Sequence, residues 1–346
     1  MSHVSFQPPT TLADLEDRVS EPTPSVVEMM RRLPGDILIL GVAGKMGPSL
    51  ARMAKRASDA SGTTRSIIGV SRFRDASART ELEKHGVETI TCDLLDERAL
   101  AGLPDAPNII YMAGMKFGAT GQEPLTWAMN ALLPGLVCQR FPHSRFAAFS
   151  TGNIYGLVPV TGTGSRETDT PNPAGEYAQS CLGRERIFEH FALAYGTPVS
   201  LIRLNYACDL RYGVMVDIAQ KVWRGEPVDL TMGHFNTIWQ GDANAFSLLT
   251  LEHTTAPAWK INLTGPVMLR VRDVAGRFAQ AFGKTAQFTG TEAPDALLSD
   301  STLLTSTMGG TSISEAVLVD WVASWIQSGG ASLGKPTHFE SRDGKF

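Results

Sequence analysis

Six short runs, "ILIL" (37–40), "SIIGV" (66–70), "VETIT" (87–91), "NIIYM" (108–112), "RFAAFS" (145–150) and "PVSLIRL" (198–204), alternate with stretches of helical periodicity. Most are almost wholly apolar. A strand with one wet face alternates apolar and polar residues, whereas a strand apolar throughout needs cover on both faces, the condition of a parallel sheet between helical layers. The expected class is α/β, with a doubly wound parallel sheet. The rhythm begins at Asp36 and loosens after Asn205, which delimits a sheet-forming domain over 37–204. Beyond it come a helix near 214–224, the loop "TMGHFNTIWQ", a helix from Asp242, a strand "INLTG" and helices near 271–283 and 313–327. These read as a smaller lobe, 205–330, interleaved with the end of the sheet. Residues 1–36 read as an N-terminal arm in which Ser25 and Glu28 have capping-box spacing, and 331–346 as a surface tail.

Composition narrows the partners. Of 346 residues, 43% are hydrophobic and 19% charged, enough for one large domain with an elaborated lobe. A net charge of −4 with scattered basic residues gives no footprint for nucleic acid. Cys92, Cys138, Cys181 and Cys208 lack CxxC pairing and histidine spacing, so reduced thiols and no metal site are expected. The start lacks the apolar core of a signal peptide, and no apolar run approaches the roughly 20 residues that span a bilayer. A cytoplasmic protein with no membrane partner is the expectation.

"DILILGVAGKMGPSLARMAKRA" places Gly41, Gly44 and Gly47 directly after a strand and at the head of a helix. Glycine permits the tight turn and lets backbone N–H groups approach a pyrophosphate, whose charge the helix N-terminus favours. The strand before and helix after point to a dinucleotide. An NAD site ordinarily carries an acidic residue after the second strand; here that strand ends "GVSRF". Ser71 and Arg72 suit a 2′-phosphate, with Lys45 as a second cation, so NADP is favoured over NAD. Both cations also read as solvated surface groups. Asp93 in "TCDLLD" either faces the adenine or caps the next helix.

In "GEYAQSCLGRER" (175–186), Tyr177 and Cys181 are one helical step apart. A free phenol titrates near pH 10, so a tyrosine base at neutral pH needs roughly 3 units of help. A lysine at 181 would give it, and the residue there is cysteine.

With "FSTGNIYG" at 149–156 and Tyr177 beyond it, the chain resembles the extended short-chain dehydrogenase/reductases, the NAD-dependent epimerases and dehydratases with a Rossmann fold. The likeness runs from about Ile37 to Gln327. It rests on the glycine turn, "MAGMK" after the fourth strand, Asn130, "STGNIYG", Tyr177, "IRLN" with Arg203 and Asn205, "WQGDANA" with Asp242, and "INLTG". The resemblance implies Tyr177 as general acid/base, Thr151 as its hydroxyl partner, and Asn130 as a structural link. It implies a cofactor held by Gly41, Gly44, Lys45, Met46 and Gly47, by Ser71 and Arg72, by Asp93 and Leu94, by Ala113 and Gly114, and by Tyr177. A homodimer built on the helices of Asn130 and Tyr177 is also implied.

Three departures qualify it. The family's Tyr-x-x-x-Lys lysine is Cys181 here; Lys116 of "AGMK" is the first compensating candidate and Arg184, at i+7 from the tyrosine, the second. The Asp-Glu pair that follows the threonine in sugar-nucleotide dehydratases is Gly152 and Asn153, which disfavours that reaction. Phe235 stands where the family offers an arginine to a nucleotide diphosphate. The expected activity is therefore an NAD(P)-dependent oxidoreductase or epimerase acting on a free sugar, sugar acid or polyol. His234, Asn236, Trp239 and Arg211 are either pocket residues or ordinary packing. The alternative is a catalytically degenerate NAD(P)-binding sensor or scaffold.

Overall fold

The computed structural model describes residues 7–345 apart from 117 and 119. Strands β1 (Ile37–Leu40), β2 (Ile67–Ser71), β3 (Glu88–Thr91), β4 (Asn108–Tyr111), β5 (Arg145–Thr151), β6 (Val199–Leu204) and β7 (Trp259–Leu263) form one parallel sheet, ordered β7-β6-β5-β4-β1-β2-β3. The six apolar runs are the first six strands. Consecutive residues serve opposite cores: Ile37 and Ile39 pack with Ile110, Ala147 and Ile202, while Leu38 and Leu40 pack with Ile109, Tyr111, Phe146 and Ala148. Each such buried side chain contributes about 1.5–3 kcal/mol, which is why these strands lack polar alternation. Only β3, at the sheet edge, exposes Glu88 and Thr91.

The helices are α1 (Leu12–Val19), α2 (Pro24–Arg32), α3 (Gly47–Ser61), α4 (Ala76–Lys84), α5 (Glu97–Ala101), α6 (Glu123–Trp127), α7 (Leu133–Arg140), α8 (Gly175–Tyr195), α9 (Val214–Arg224), α10 (Gln240–Leu249), α11 (Val271–Phe282), α12 (Thr302–Met308) and α13 (Glu315–Gln327). A π-helical turn, Ala128–Leu132, joins α6 to α7. One sheet face is covered by α2, α3 and α10, the other by α5, α7 and α8. A further core gathers α9, α11 and α13. The 205–330 segment interleaves with the sheet because α10 packs on α3 and β7 pairs with β6. The chain order reverses between β1 and β4, so a crevice opens at their carboxyl ends.

Both chain ends differ from expectation. Residues 7–36 do not project as an arm: Leu15 and Val19 enter the core of the lobe, and Val26, Met29 and Met30 are fully buried against α3 and α10. The cap of α2 is Thr23, whose hydroxyl accepts from the Val26 N–H at 3.3 Å, with Pro24 in the first turn; Ser25 already lies inside the helix. The tail is not a surface extension either. Phe339 is 2% exposed within the lobe core, and Thr337 donates from both its N–H and its hydroxyl to Asp217 Oδ2, at 2.8 and 2.6 Å. These residues are apolar or paired in ways only the fold reveals.

Candidate functional site

At the crevice a cavity of about 290 Å³ runs from the glycine turn to the start of α8. Gly41, Gly44, Lys45, Met46, Lys116, Thr151 and Tyr177 all line it. Gly41 must be glycine: its φ is +89°, and a Cβ would lie 2.7 Å from the backbone nitrogen of Ala113. Gly47 is buried beneath the turn against Val42, where it lets α3 approach the strand. Met46 caps α3 without a side-chain hydrogen bond, so the first amides of a 15-residue helix and its positive end are left for an anion. These features fit a dinucleotide pyrophosphate.

The remaining cofactor candidates stand outside the lining. Ser71 ends β2, and the Arg72 guanidinium lies 3.9 Å from the Asp93 carboxylate, both half exposed. Asp93 does not cap α5, since Asp96 does so by accepting from the N–H groups of Arg98 and Ala99. Asp93 instead accepts from the N–H of Leu95 at 3.1 Å. Leu94 is buried. Ala113 backs the glycine turn, and Gly114 makes room for Arg184, whose Nη2 would be 2.3 Å from a Cβ there. Lys45 does not join Arg72 as a second cation. Its ammonium lies over the Tyr212 ring.

Around Tyr177 the pieces are tied together from behind. Asn130, fully buried in the π turn, donates to Met115 O and Ser180 Oγ, both at 2.9 Å, and its Oδ1 accepts from Met115 N–H at 2.8 Å and from Arg184 Nη2 at 2.6 Å. Arg184 also donates to Phe149 O at 2.8 Å, so one buried guanidinium links β5, the loop after β4 and α8. Beneath it, Glu185 and Arg203 form a buried bidentate pair, at 3.0 and 2.8 Å, with Ser150 and Tyr155 completing the network.

The electrostatics follow. Burial pushes the Tyr177 phenol well above its ordinary range and the adjacent Cys181 adds to the rise, while Arg184 and a hydrogen bond from Thr151 pull it down. Asn153 donates to Thr151 Oγ1 at 2.9 Å through its side chain and at 3.2 Å through its backbone, leaving the threonine proton for the phenol. Cys181 is fully buried, and burial raises its thiol too. Lys116 lies over the Tyr177 ring, 5.7 Å from its centroid, and burial lowers its ammonium to about 8. Of the two compensating candidates, Arg184 is thus the cation that favours the phenolate from behind, and Lys116 faces the ring.

None of His234, Asn236, Trp239 or Arg211 lines this cavity. Arg211 pairs with Asp209 and Glu16, Trp239 packs edge-on against Trp321, and Asn236 accepts from Asn205 at 2.8 Å. Phe235 is fully buried beside Phe339, so no cation replaces the missing arginine there. Asn153, Tyr206, Tyr212, Gln240 and Thr337 line the cavity without having been singled out for it. Asn153 and Gln240 lay within quoted motifs; Tyr206, Tyr212 and Thr337 arrive through long-range folding. Among the described residues no group of three His, Cys, Asp or Glu could hold a metal, and no helix is long and apolar enough to cross a membrane.

The family model described as the NAD dependent epimerase/dehydratase family matches residues 37–208. No curated protein matches the chain in sequence. Among solved structures, UDP-glucose 4-epimerase from Thermotoga maritima, with UDP-glucose, is similar at a TM-score of 0.70 and 18% identity, covering 85% of this chain and 99% of that one. A dTDP-glucose 4,6-dehydratase from Bacillus anthracis, in complex with NAD, gives 0.71 and 14%, covering 85% and 97%. A UDP-glucuronic acid 4-epimerase mutant from Bacillus cereus, with NAD and a fluorinated substrate relative, gives 0.69 and 16%, covering 84% and 99%. At such identities the likeness is one of fold. With the glycine turn, the threonine and the tyrosine on that fold and inside the matched span, the chain belongs to the NAD dependent epimerase/dehydratase family.

Proposed function

We propose that this protein is an NAD(P)-dependent oxidoreductase or epimerase acting at a carbinol or keto carbon of a small sugar-like molecule. The observation that carries the reading is the shared cavity: Tyr177, Thr151 and the glycine turn border one space. The nicotinamide, when bound, accepts or returns hydride. Tyr177 exchanges the hydroxyl proton, Thr151 orients the reacting oxygen, and Asn153 fixes Thr151. Lys116 and Arg184 supply positive charge to the phenol from its two sides. The solved neighbours include enzymes bound to UDP sugars. A free sugar, sugar acid or polyol is favoured here, because a fully buried Phe235 stands in place of the diphosphate-binding cation. NADP is favoured over NAD by Arg72 and by the lack of an acidic residue at the end of β2. A cytoplasmic homodimer completes the proposal, since Leu132, Leu193 and Tyr195 expose 57%, 71% and 68% of their surface on the π turn and α8.

The test supplies NAD and NADP separately to the purified protein, with sugar acids and polyols, and follows reduced cofactor at alkaline pH. Turnover that vanishes in Tyr177→Phe is the expected outcome. A second reading, a non-catalytic nucleotide-binding protein, is favoured by the buried thiol where a cation should stand. Cofactor binding without turnover of any substrate would establish it.

A further inference from the structure

We infer that residues 331–345 form a strap that sets the substrate range of this cavity: fastened, it admits an unconjugated sugar-like molecule and shuts out one carrying an aromatic group such as a nucleoside. The inference rests on the proposed function of this site and names the segment that restricts its substrate. The strap contains no helix or strand, yet it is fastened along its length. Leu333 donates its N–H to the Arg211 carbonyl at 3.1 Å, and Thr337 donates twice to Asp217 of α9. Arg342 donates to the carbonyls of Thr231 and Asp295, at 3.2 and 3.1 Å. Gly344, at φ +73°, then fits against the Ala174 carbonyl at the head of α8. The segment thus passes from α9 of the lobe to the helix of Tyr177, with Thr337 on the cavity wall.

The backbone shows that this wall is held in place rather than relaxed. Among the described residues, those other than glycine with a left-handed backbone are Phe73, Tyr206 and His338. Tyr206, at +51°, lines the cavity, and His338, at +55°, follows Thr337. Such a conformation is costly for a bulky residue and persists only where neighbours impose it, as they do at ligand clamps. The Tyr206 carbonyl accepts from the Thr237 hydroxyl and from the Ile238 N–H, and the His338 carbonyl accepts from the Ser341 N–H at 3.1 Å. Glu340 of the strap lies near enough to Tyr206 to add to the rise that burial gives its phenol. Two residues past Thr337, the Phe339 ring lies 6.3 Å from the Phe235 ring, and the Phe339 N–H donates to the Thr337 hydroxyl at 3.2 Å. Lifting the strap withdraws Thr337 and Phe339 together and extends the cavity toward Phe235. The vacated place suits a flat aromatic substituent, and Phe339 fills it while the strap is down.

Two variants of the full chain test this without changing a residue that lines the cavity. Arg342→Ala with Gly344→Val unfastens the strap, since a side chain at 344 runs into the Ala174 carbonyl; Phe339→Ala empties the place beside Phe235. Hydrogen exchange at the Leu333, Thr337 and Phe339 amides reports how far the strap has lifted. Calorimetry on cofactor-saturated protein compares glucose and glucuronate with their p-nitrophenyl glycosides and with UDP-glucose and UDP-glucuronate. The native chain should bind no conjugate more tightly than its parent sugar, and at least one conjugate should bind about 10-fold or more tightly in each variant than in the native chain. Conjugates that the native chain already prefers by about 10-fold would overturn the inference, as would fast exchange in the unfastened variant with no gain for any conjugate. If exchange there stays slow, Phe339→Ala decides by the same criterion. Turnover of an unconjugated substrate with no such gain would sink this inference alone. A gain for conjugates with no turnover of any substrate would sink the enzymatic reading alone.

Discussion

Tyr177 stands between opposing influences. Burial and the Cys181 thiol hold its proton on, and Arg184 and Thr151 favour its release. A neutral phenol is the proton donor needed to reduce a carbonyl, whereas oxidation needs the phenolate, so the unassisted site runs oxidation best at alkaline pH. Cys181→Lys places a cation at the family's position, and the acid-side midpoint of the oxidation profile should then fall by about one unit or more, as a near charge shifts a pKa. Lys116 sets the opposite limit. Protonated below about 8, it loses its charge as pH rises through that value, so a rate that depends on the cation declines above about 8. Lys116→Arg should move this decline upward. A pH–rate profile unchanged in both variants would remove the account of how the phenol is served. The sequence disclosed the missing lysine and both substitutes because helical spacing and a motif are local facts. Which cation faces the phenol depends on Asn130 holding Arg184, a contact across 54 positions.

At the scale of elements, the inner strands were legible because each must be apolar on both faces, and the runs "ILIL" and "NIIY" meet that condition without help from context. The π turn was not, since nothing in "AMNAL" distinguishes a wider turn from an ordinary one. The start of α2 shows how a local motif misleads. Ser25 and Glu28 have capping-box spacing, but Thr23 followed by Pro24 gives an earlier and better start, because proline's fixed φ suits the first turn and costs no needed N–H. Glu28 turns instead to Arg31 and Arg32. Thr23→Ala should therefore lower stability by about 1 kcal/mol, and Ser25→Ala should stay within about 0.5 kcal/mol, both read from urea denaturation. The reverse ranking would restore the motif reading.

Across the whole molecule, the two chain ends close the site from the side of the lobe. Glu16 of α1 pairs with Arg211, whose carbonyl accepts from the Leu333 N–H at 3.1 Å, so both ends meet at the segment bearing Tyr212. Neither end carries a family motif, and a polar tail with a single buried apolar anchor looks like solvated chain until its anchor is seen. That anchor is Phe339, and beyond it Gly344 abuts Gly175, where a Cβ would lie 2.5 Å from the Gly344 carbonyl oxygen. Phe339→Ala should cost about 3–5 kcal/mol by denaturant titration, the loss expected for a core phenylalanine, against about 0.5 kcal/mol or less for a surface tail. The site should register the same change. Thr337 lines the cavity while bound to Asp217, and Gly175 begins the helix of Tyr177, so a tail released from its anchor loosens the substrate end before it disturbs the Thr151–Tyr177 pair. KM should rise by a larger factor than kcat falls, and the opposite split would place the tail's influence on the proton-transfer residues themselves.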